Sequence, residues 1–236
     1  LEEDLVGHNL VQFKASSSRH ITKAGLQYTD FDPYTKYRLY CAESGETYDW
    51  GNAIMYDRHG QEDDMHLIDY GKDLFFDGRR LDFYGATLCS TRAYPENIAQ
   101  PDSPMIGLAL ESYGGTFPDL MYSRNLKGCT SQRGLLEMNF THALSKVEVE
   151  VSRQDNDDLE GVRIKSISLL NTSTKGKLDI VNGVWSDYDT DAEILISDEL
   201  MAVDLEPKMM QSGGADAFAL IIPNETSREV VRSEEH

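Results

Sequence analysis

The sequence predicts an all-β protein, built as sandwiches or barrels with little helix. Three observations predict it. Apolar residues recur with a period of two, short apolar runs alternate with turn-forming residues, and patterns of period 3.6 are nearly absent.

The first clear strand is Leu81-Asp82-Phe83-Tyr84-Gly85-Ala86-Thr87-Leu88, which reads as half-buried with heavy aromatic content. Pro118-Asp119-Leu120-Met121-Tyr122-Ser123 is the one stretch read as starting a short helical turn. Lys127-Gly128-Cys129-Thr130-Ser131-Gln132-Arg133-Gly134 is polar, carries two glycines and precedes the longest strand pattern. We place the domain seam there, giving domains 1–131 and 132–236. In Lys146-Val147-Glu148-Val149-Glu150-Val151 three valines point one way and charged residues the other, a strand with one wet face. Val162, Ile164, Ile167 and Leu169 form another strand, whose apolar parity changes midway and so predicts a bulge or two-sided burial. Leu178-Asp179-Ile180-Val181 is short and bounded by Gly176 and Asn182-Gly183, a hairpin signal. Ile194-Leu195-Ile196 follows. Ala217-Phe218-Ala219-Leu220-Ile221-Ile222 is apolar on both faces, which suits a central strand, and Pro223 ends it by removing a ladder donor.

Composition narrows the function. Among 236 residues, 41 are Asp or Glu and 22 are Lys or Arg, a net charge of −19. That balance argues against binding nucleic acid and against docking on anionic lipid, both of which need a basic face. Hydrophobic residues make up 40%, enough for a core. No apolar run approaches the ~18 residues of a membrane-spanning helix. The chain opens Leu1-Glu2-Glu3-Asp4, without Met, so we expect a natural N-terminus upstream. Cys41, Cys89 and Cys129 cannot all pair. One bridge with a free thiol and three buried thiols both fit, and buried small hydrophobes is the reading we take.

The chemistry-bearing residues assemble into no site. Gly114-Gly115 and Gly213-Gly214 read as turns, without the Lys-Ser or Lys-Thr of a phosphate loop. Asp187, Asp189, Asp191 and Asp198 fall on calcium-loop positions, but Ala192 stands where the loop needs glycine and a strand follows. Asp155, Asp157, Asp158 and Glu160 read as a solvated hairpin loop. His59 and His66 flank Asp63 and Asp64 at a spacing that does not converge on a metal. His142 beside Phe140 reads as a packed, hydrogen-bonded histidine. The sequons at Asn139, Asn171 and Asn224 read as chance, the first because it lies inside a strand. We therefore expect no catalytic residues, no cofactor and no metal.

The order of short motifs resembles the fimbrillin-like (Mfa-like) family of type V surface pilins from anaerobic gut and oral Gram-negative bacteria. Tyr37-Arg38-Leu39-Tyr40, Trp50 and Met55-Tyr56 resemble its first strands, and Leu81-Asp82-Phe83-Tyr84-Gly85-Ala86 its aromatic strand. Asp119-Leu120-Met121-Tyr122 is similar to its "D-L-M-Y" segment, and Phe140-Thr141-His142-Ala143-Leu144-Ser145-Lys146-Val147 to "F-x-H-x-L-S-K-V". Ile167-Ser168-Leu169-Leu170-Asn171, Gly176, Gly183, Trp185 and Ile221-Ile222-Pro223 resemble the later strands.

The resemblance implies two tandem transthyretin-like β-sandwich domains. It implies a non-enzymatic cell-surface protein, exported as a lipoprotein and displayed on the outer membrane, with a lipid on the precursor as its membrane contact. The implied partners are other pilin subunits, joined by strand exchange, and host or bacterial surface ligands. An arginine-specific protease removes the first strand in such pilins, and Arg19 after Ser16-Ser17-Ser18 is a candidate position, with an ordinary exposed arginine the favoured reading. The tail Arg228-Glu229-Val230-Val231-Arg232-Ser233-Glu234-Glu235-His236 is charged and does not read as a long apolar donor strand. A carbohydrate-binding adhesin is the alternative, favoured if Trp50 or Trp185 is exposed; we expect burial. A glycoside hydrolase would need two carboxyls about 5–9.5 Å apart in a cleft.

Overall fold

The computed structural model describes residues 11–17, 21–22, 25–26, 31, 35–45, 54–60, 67–69, 76–89, 93–98, 104–110, 118–130, 135–155, 160–223 and 229–235. In chain order the strands are β1 (Gln12–Ser17), β2 (Ile21–Thr22), β3 (Gly25–Leu26), β4 (Lys36–Glu43), β5 (Ile54–Gly60), β6 (Leu67–Asp69), β7 (Leu81–Leu88) and β8 (Glu96–Asn97). Then come β9 (Met105–Ala109), β10 (Leu120–Cys129), β11 (Leu135–His142), β12 (Ser145–Glu148), β13 (Glu150–Val151), β14 (Arg163–Thr172), β15 (Lys175–Asp179) and β16 (Val184–Ser186). The last are β17 (Ala192–Ser197), β18 (Met201–Ala202), β19 (Lys208–Met209), β20 (Gln211–Ser212), β21 (Ala215–Asp216), β22 (Phe218–Ile221) and β23 (Glu229–Glu235). The all-β prediction is met.

Two compact units divide the chain: residues 1–143 with 177–186, and residues 144–176 with 187–236. The sequence-based seam at 131/132 lies earlier than this division. The reason is β11, which pairs with β1 and β10 and so belongs to the first unit.

In the first unit seven strands close into a barrel, in the order β1-β11-β10-β7-β4-β5-β6. Its interior is filled by alternate residues of successive strands: Phe13 and Ala15, Tyr37 and Leu39, Leu81 and Phe83, Leu136, Met138 and Phe140. Phe31 meets both Tyr37 and Phe140 with ring centroids 5.9 and 5.6 Å apart. Strand β7 was expected to be half-buried, yet all eight of its residues are buried. Its second face is covered as well. Tyr40, opposite Tyr84, donates its hydroxyl to Asn97 Oδ1 at 2.8 Å, and Arg38 reaches the Pro95 carbonyl. A four-stranded sheet, β16-β15-β9-β8, forms this second layer of the unit.

The 118–123 stretch, read as a helical turn, is the start of β10. Leu120 and Met121 are both fully buried, so tertiary packing overrides the local signal. The Asn182-Gly183 hairpin exists, but with a four-residue turn. Gly183 N–H donates to Asp179 O, and the Asp179 carboxylate accepts from the Val181 and Asn182 amides. Gly183 alone of the Asn-Gly pair has positive φ, at 71°.

In the second unit β14 is the organising strand, paired with β17, β18 and β23. The bulge expected from its parity change is present: the register skips between Ile167 and Ser168 against β17, and between Ile164 and Ser166 against β23. The valine strand breaks at Val149 into β12 and β13. Its supposed wet face is partly covered, because Lys146 and Glu148 pair with each other and Lys146 sits 4.9 Å from the Phe218 ring centroid. The 217–222 run was expected in a sheet centre. Among the described residues β22 pairs with β12 alone, in a two-stranded sheet.

Candidate assembly strands

Strand β1 has the pattern that a half-buried strand requires. Val11, Phe13 and Ala15 are 0%, 3% and 0% exposed, while Gln12 faces solvent and Lys14 and Ser16 are half-buried. Phe13 packs edge-on against Phe83 of β7, with centroids 5.0 Å apart. Val11 and Phe13 each contribute about 1.5–3 kcal/mol by leaving water. Against a typical domain stability of ~5–15 kcal/mol, the place β1 occupies is too costly to leave wet.

The backbone of β1 closes the barrel. It runs parallel to β11, from Gln12 opposite Leu135 to Ser17 opposite Phe140, and antiparallel to β6 through Phe13–Ile68 and Lys14–Leu67. On the far side of β11, β10 pairs at Met121–His142 and Tyr122–Thr141. Beyond that point the Asn125 side chain makes the cross-strand bonds, donating to Glu137 O at 2.9 Å and accepting from Asn139 N at 3.0 Å. Ser16 Oγ also bonds Asn139 Oδ1, at 2.6 Å. Over residues 135–140, therefore, β1 is the backbone ladder partner of β11. Its departure would leave an apolar slot between two unpaired edges, which is a template for another strand. Arg19 lies outside the described residues, two positions beyond the end of β1.

The charged tail forms a strand. β23 lies antiparallel along β14, from Leu170 opposite Glu229 to Arg163 opposite Glu235.

The other residues singled out from sequence do not converge. The Asp189 carboxylate is engaged by Thr174 N and Oγ1 and by Lys175 N at 2.6–2.9 Å, which makes it a turn cap of its own unit. Its neighbour Asp191 directly precedes β17. Asp157, Asp158, Asp63, Asp64 and His66 lie outside the described residues, as do Trp50, Asn224 and the Gly114-Gly115 pair. His142 Nδ1 lies 2.8 Å from Asp119 Oδ1, in a largely buried pair of the kind expected. Trp185 is half-buried, and its indole N–H donates to the Ala143 carbonyl at 3.0 Å. Asn139 is exposed on β11 between buried Met138 and Phe140. No disulfide joins the three cysteines; Cys41 and Cys129 are buried and Cys89 half-buried. Burial pushes the Cys41 thiol up to about 12.

Asn125 and Asp82 were missed by sequence reasoning. Asp82 was assigned to a wet strand face. It is 4% exposed and accepts the Gly128 N–H at 2.7 Å, with Lys127 Nζ 3.8 Å away.

Solved structures share this fold. Two proteins described as "putative cell adhesion protein" superpose on it. The one from Bacteroides uniformis has TM-score 0.57 and 16% identity over 95% of this chain and 79% of that one. The one from Bacteroides ovatus has TM-score 0.54 and 10% identity over 96% and 85%. A fimbrial protein from Bacteroides vulgatus gives TM-score 0.56 and 13% identity over 95% and 87%. At these identities the likeness is one of fold. No curated protein matches the sequence significantly. The profile of the fimbrillin-like family matches residues 94–233, more than half of the chain. The chain belongs to the fimbrillin-like family.

Proposed function

We propose that this chain is a non-enzymatic fimbrial subunit of the cell surface that assembles by β-strand exchange through the place held by β1. The observation that carries the proposal is the β1 slot: one strand, with Val11, Phe13 and Ala15 in the core, closes a barrel between β11 and β6. Cutting after Arg19 would detach that strand without touching the other six. A strand from another subunit would then restore both the ladder and the apolar filling. Such a head-to-tail contact does not close on itself, so it extends into a filament. Family membership and the fimbrial and adhesion proteins of the same fold support display at the surface; a lipid on the precursor is the anchor we propose.

The test treats the full-length exported precursor with an arginine-specific protease. A ladder of multimers on denaturing gels is the expected result. Persistent monomers after complete cleavage would contradict strand exchange.

A further inference from the structure

The slot also specifies what can fill it. We infer that the β1 slot accepts a strand of a second subunit that reads β-branched, any residue, aromatic, any residue, small, running parallel to β11, and that it does not accept residues 229–235 of this chain. This rests on the strand-exchange reading above and adds to it the identity of the occupant.

Three inward positions set the profile. Val11, Phe13 and Ala15 are each at most 3% exposed, so none of them has spare room beside it that opens to solvent. The middle position is large because Phe13, opposite Leu136, fills the space against the Phe83 ring at 5.0 Å, a ring that Phe76 also meets edge-on at 6.4 Å. The third position is small because its register partner Met138 is already packed tightly inward. The Met138 Cε lies 2.9 Å from where a Cβ on Gly85 would stand, with Phe140 Cζ at 3.1 Å and Leu39 Cδ2 at 3.3 Å. A ring in place of Ala15 would have to displace that cluster.

The tail fails the same profile on either face. Strand alternation groups Val230 with Arg232 and Glu234, or Glu229 with Val231, Ser233 and Glu235. Each set carries at least one charge into an interior where Phe13 and Ala15 now sit, and an unpaired buried charge is strongly disfavoured. The same segment is already placed elsewhere, along β14 over the run from Leu170 to Arg163. Among the described residues it pairs with β14 alone.

The test uses the full chain, nicked after Arg19 with β1 still seated. Fluorescent peptides compete for the slot, and native mass spectrometry reads the fraction of nicked chains that carry each. The probes are residues 11–17, the same peptide with Phe13→Ala, the same peptide with Phe13→Ala and Ala15→Phe together, and residues 229–235. The wild-type peptide should load. Both altered peptides should load at least about tenfold more weakly, a difference of ~1.4 kcal/mol. The 229–235 peptide should not load. Equal loading of the size-exchanged peptide, or loading of the 229–235 peptide, would overturn the profile and leave strand exchange standing. Failure of the wild-type peptide, with the nick complete, would overturn strand exchange and the profile with it.

Discussion

Phe13 of the first strand meets Phe83 of a central strand edge to face, 5.0 Å between centroids and 75° between planes. This contact ties the N-terminal strand to the middle of the barrel core. The hold of that strand on the barrel lies in three buried side chains and in its ladders to β11 and β6, the features on which the proposed exchange rests.

Truncating the anchor should therefore cost more than any other change in β1. Phe13→Ala is expected to lower stability by about 3–5 kcal/mol. Lys14→Ala, on the other face of the strand, should stay within ~0.5 kcal/mol. Urea unfolding of both variants checks the contrast. Equal losses would mean that β1 is held by its backbone alone.

Gly85→Ala probes the packing opposite the slot. The new methyl would stand 2.9 Å from Met138 Cε and 3.1 Å from Phe140 Cζ, so the interior must shift. Overpacking of this kind costs about 1–3 kcal/mol. A melting temperature equal to that of the parent would show that the Met138 side chain yields freely.

Asp82 is the buried acid of β7, and its Oδ1 takes the Gly128 amide. Asp82→Ala leaves that amide unpaired and should cost about 1–3 kcal/mol. Asp82→Asn keeps an acceptor and should cost less. Chemical unfolding of both variants decides whether the hydrogen bond or the charge matters; equal losses would assign the effect to the charge.

Burial holds the Cys41 proton to about 12, against an ordinary value of 9.0. The folded protein therefore keeps a proton that the unfolded chain releases first. The resulting stability is intact below pH ~9 and is lost as pH climbs from there toward 12. Cys41→Ala should flatten part of that alkaline decline. Parallel stability curves for parent and variant between pH 8 and 10.5 would contradict the assignment.

Sequence periodicity revealed which segments are strands and hid which faces they bury. Leu81–Leu88 alternates as a one-sided strand would, yet lies between two layers. Its outer cover includes Pro95 and Asn97, which bond Arg38 and Tyr40 of the neighbouring β4 across 57 residues of chain. Cross-strand pairing likewise hid the roles of Asp82 and Asn125, whose partners are Gly128, Glu137 and Asn139. The bulge in β14 was legible because parity is a local property. The helical reading of 118–123 failed because a proline followed by an acid resembles a helix start, whereas Leu120 and Met121 are claimed by opposite sides of a sheet. For the candidate site, the family motifs pointed to strand exchange, but the β1 pattern acquires meaning only beside β11 and β6.

The most direct measurement mixes two batches of the chain, one isotopically heavy, both cut completely after Arg19. Native mass spectrometry then follows the pairing of N-terminal segments with bodies. The account predicts hybrid particles, in which the first strand of one chain sits in the barrel of another. Parental masses alone, after incubation long enough for the cut segment to exchange with added 11–17 peptide, would contradict it.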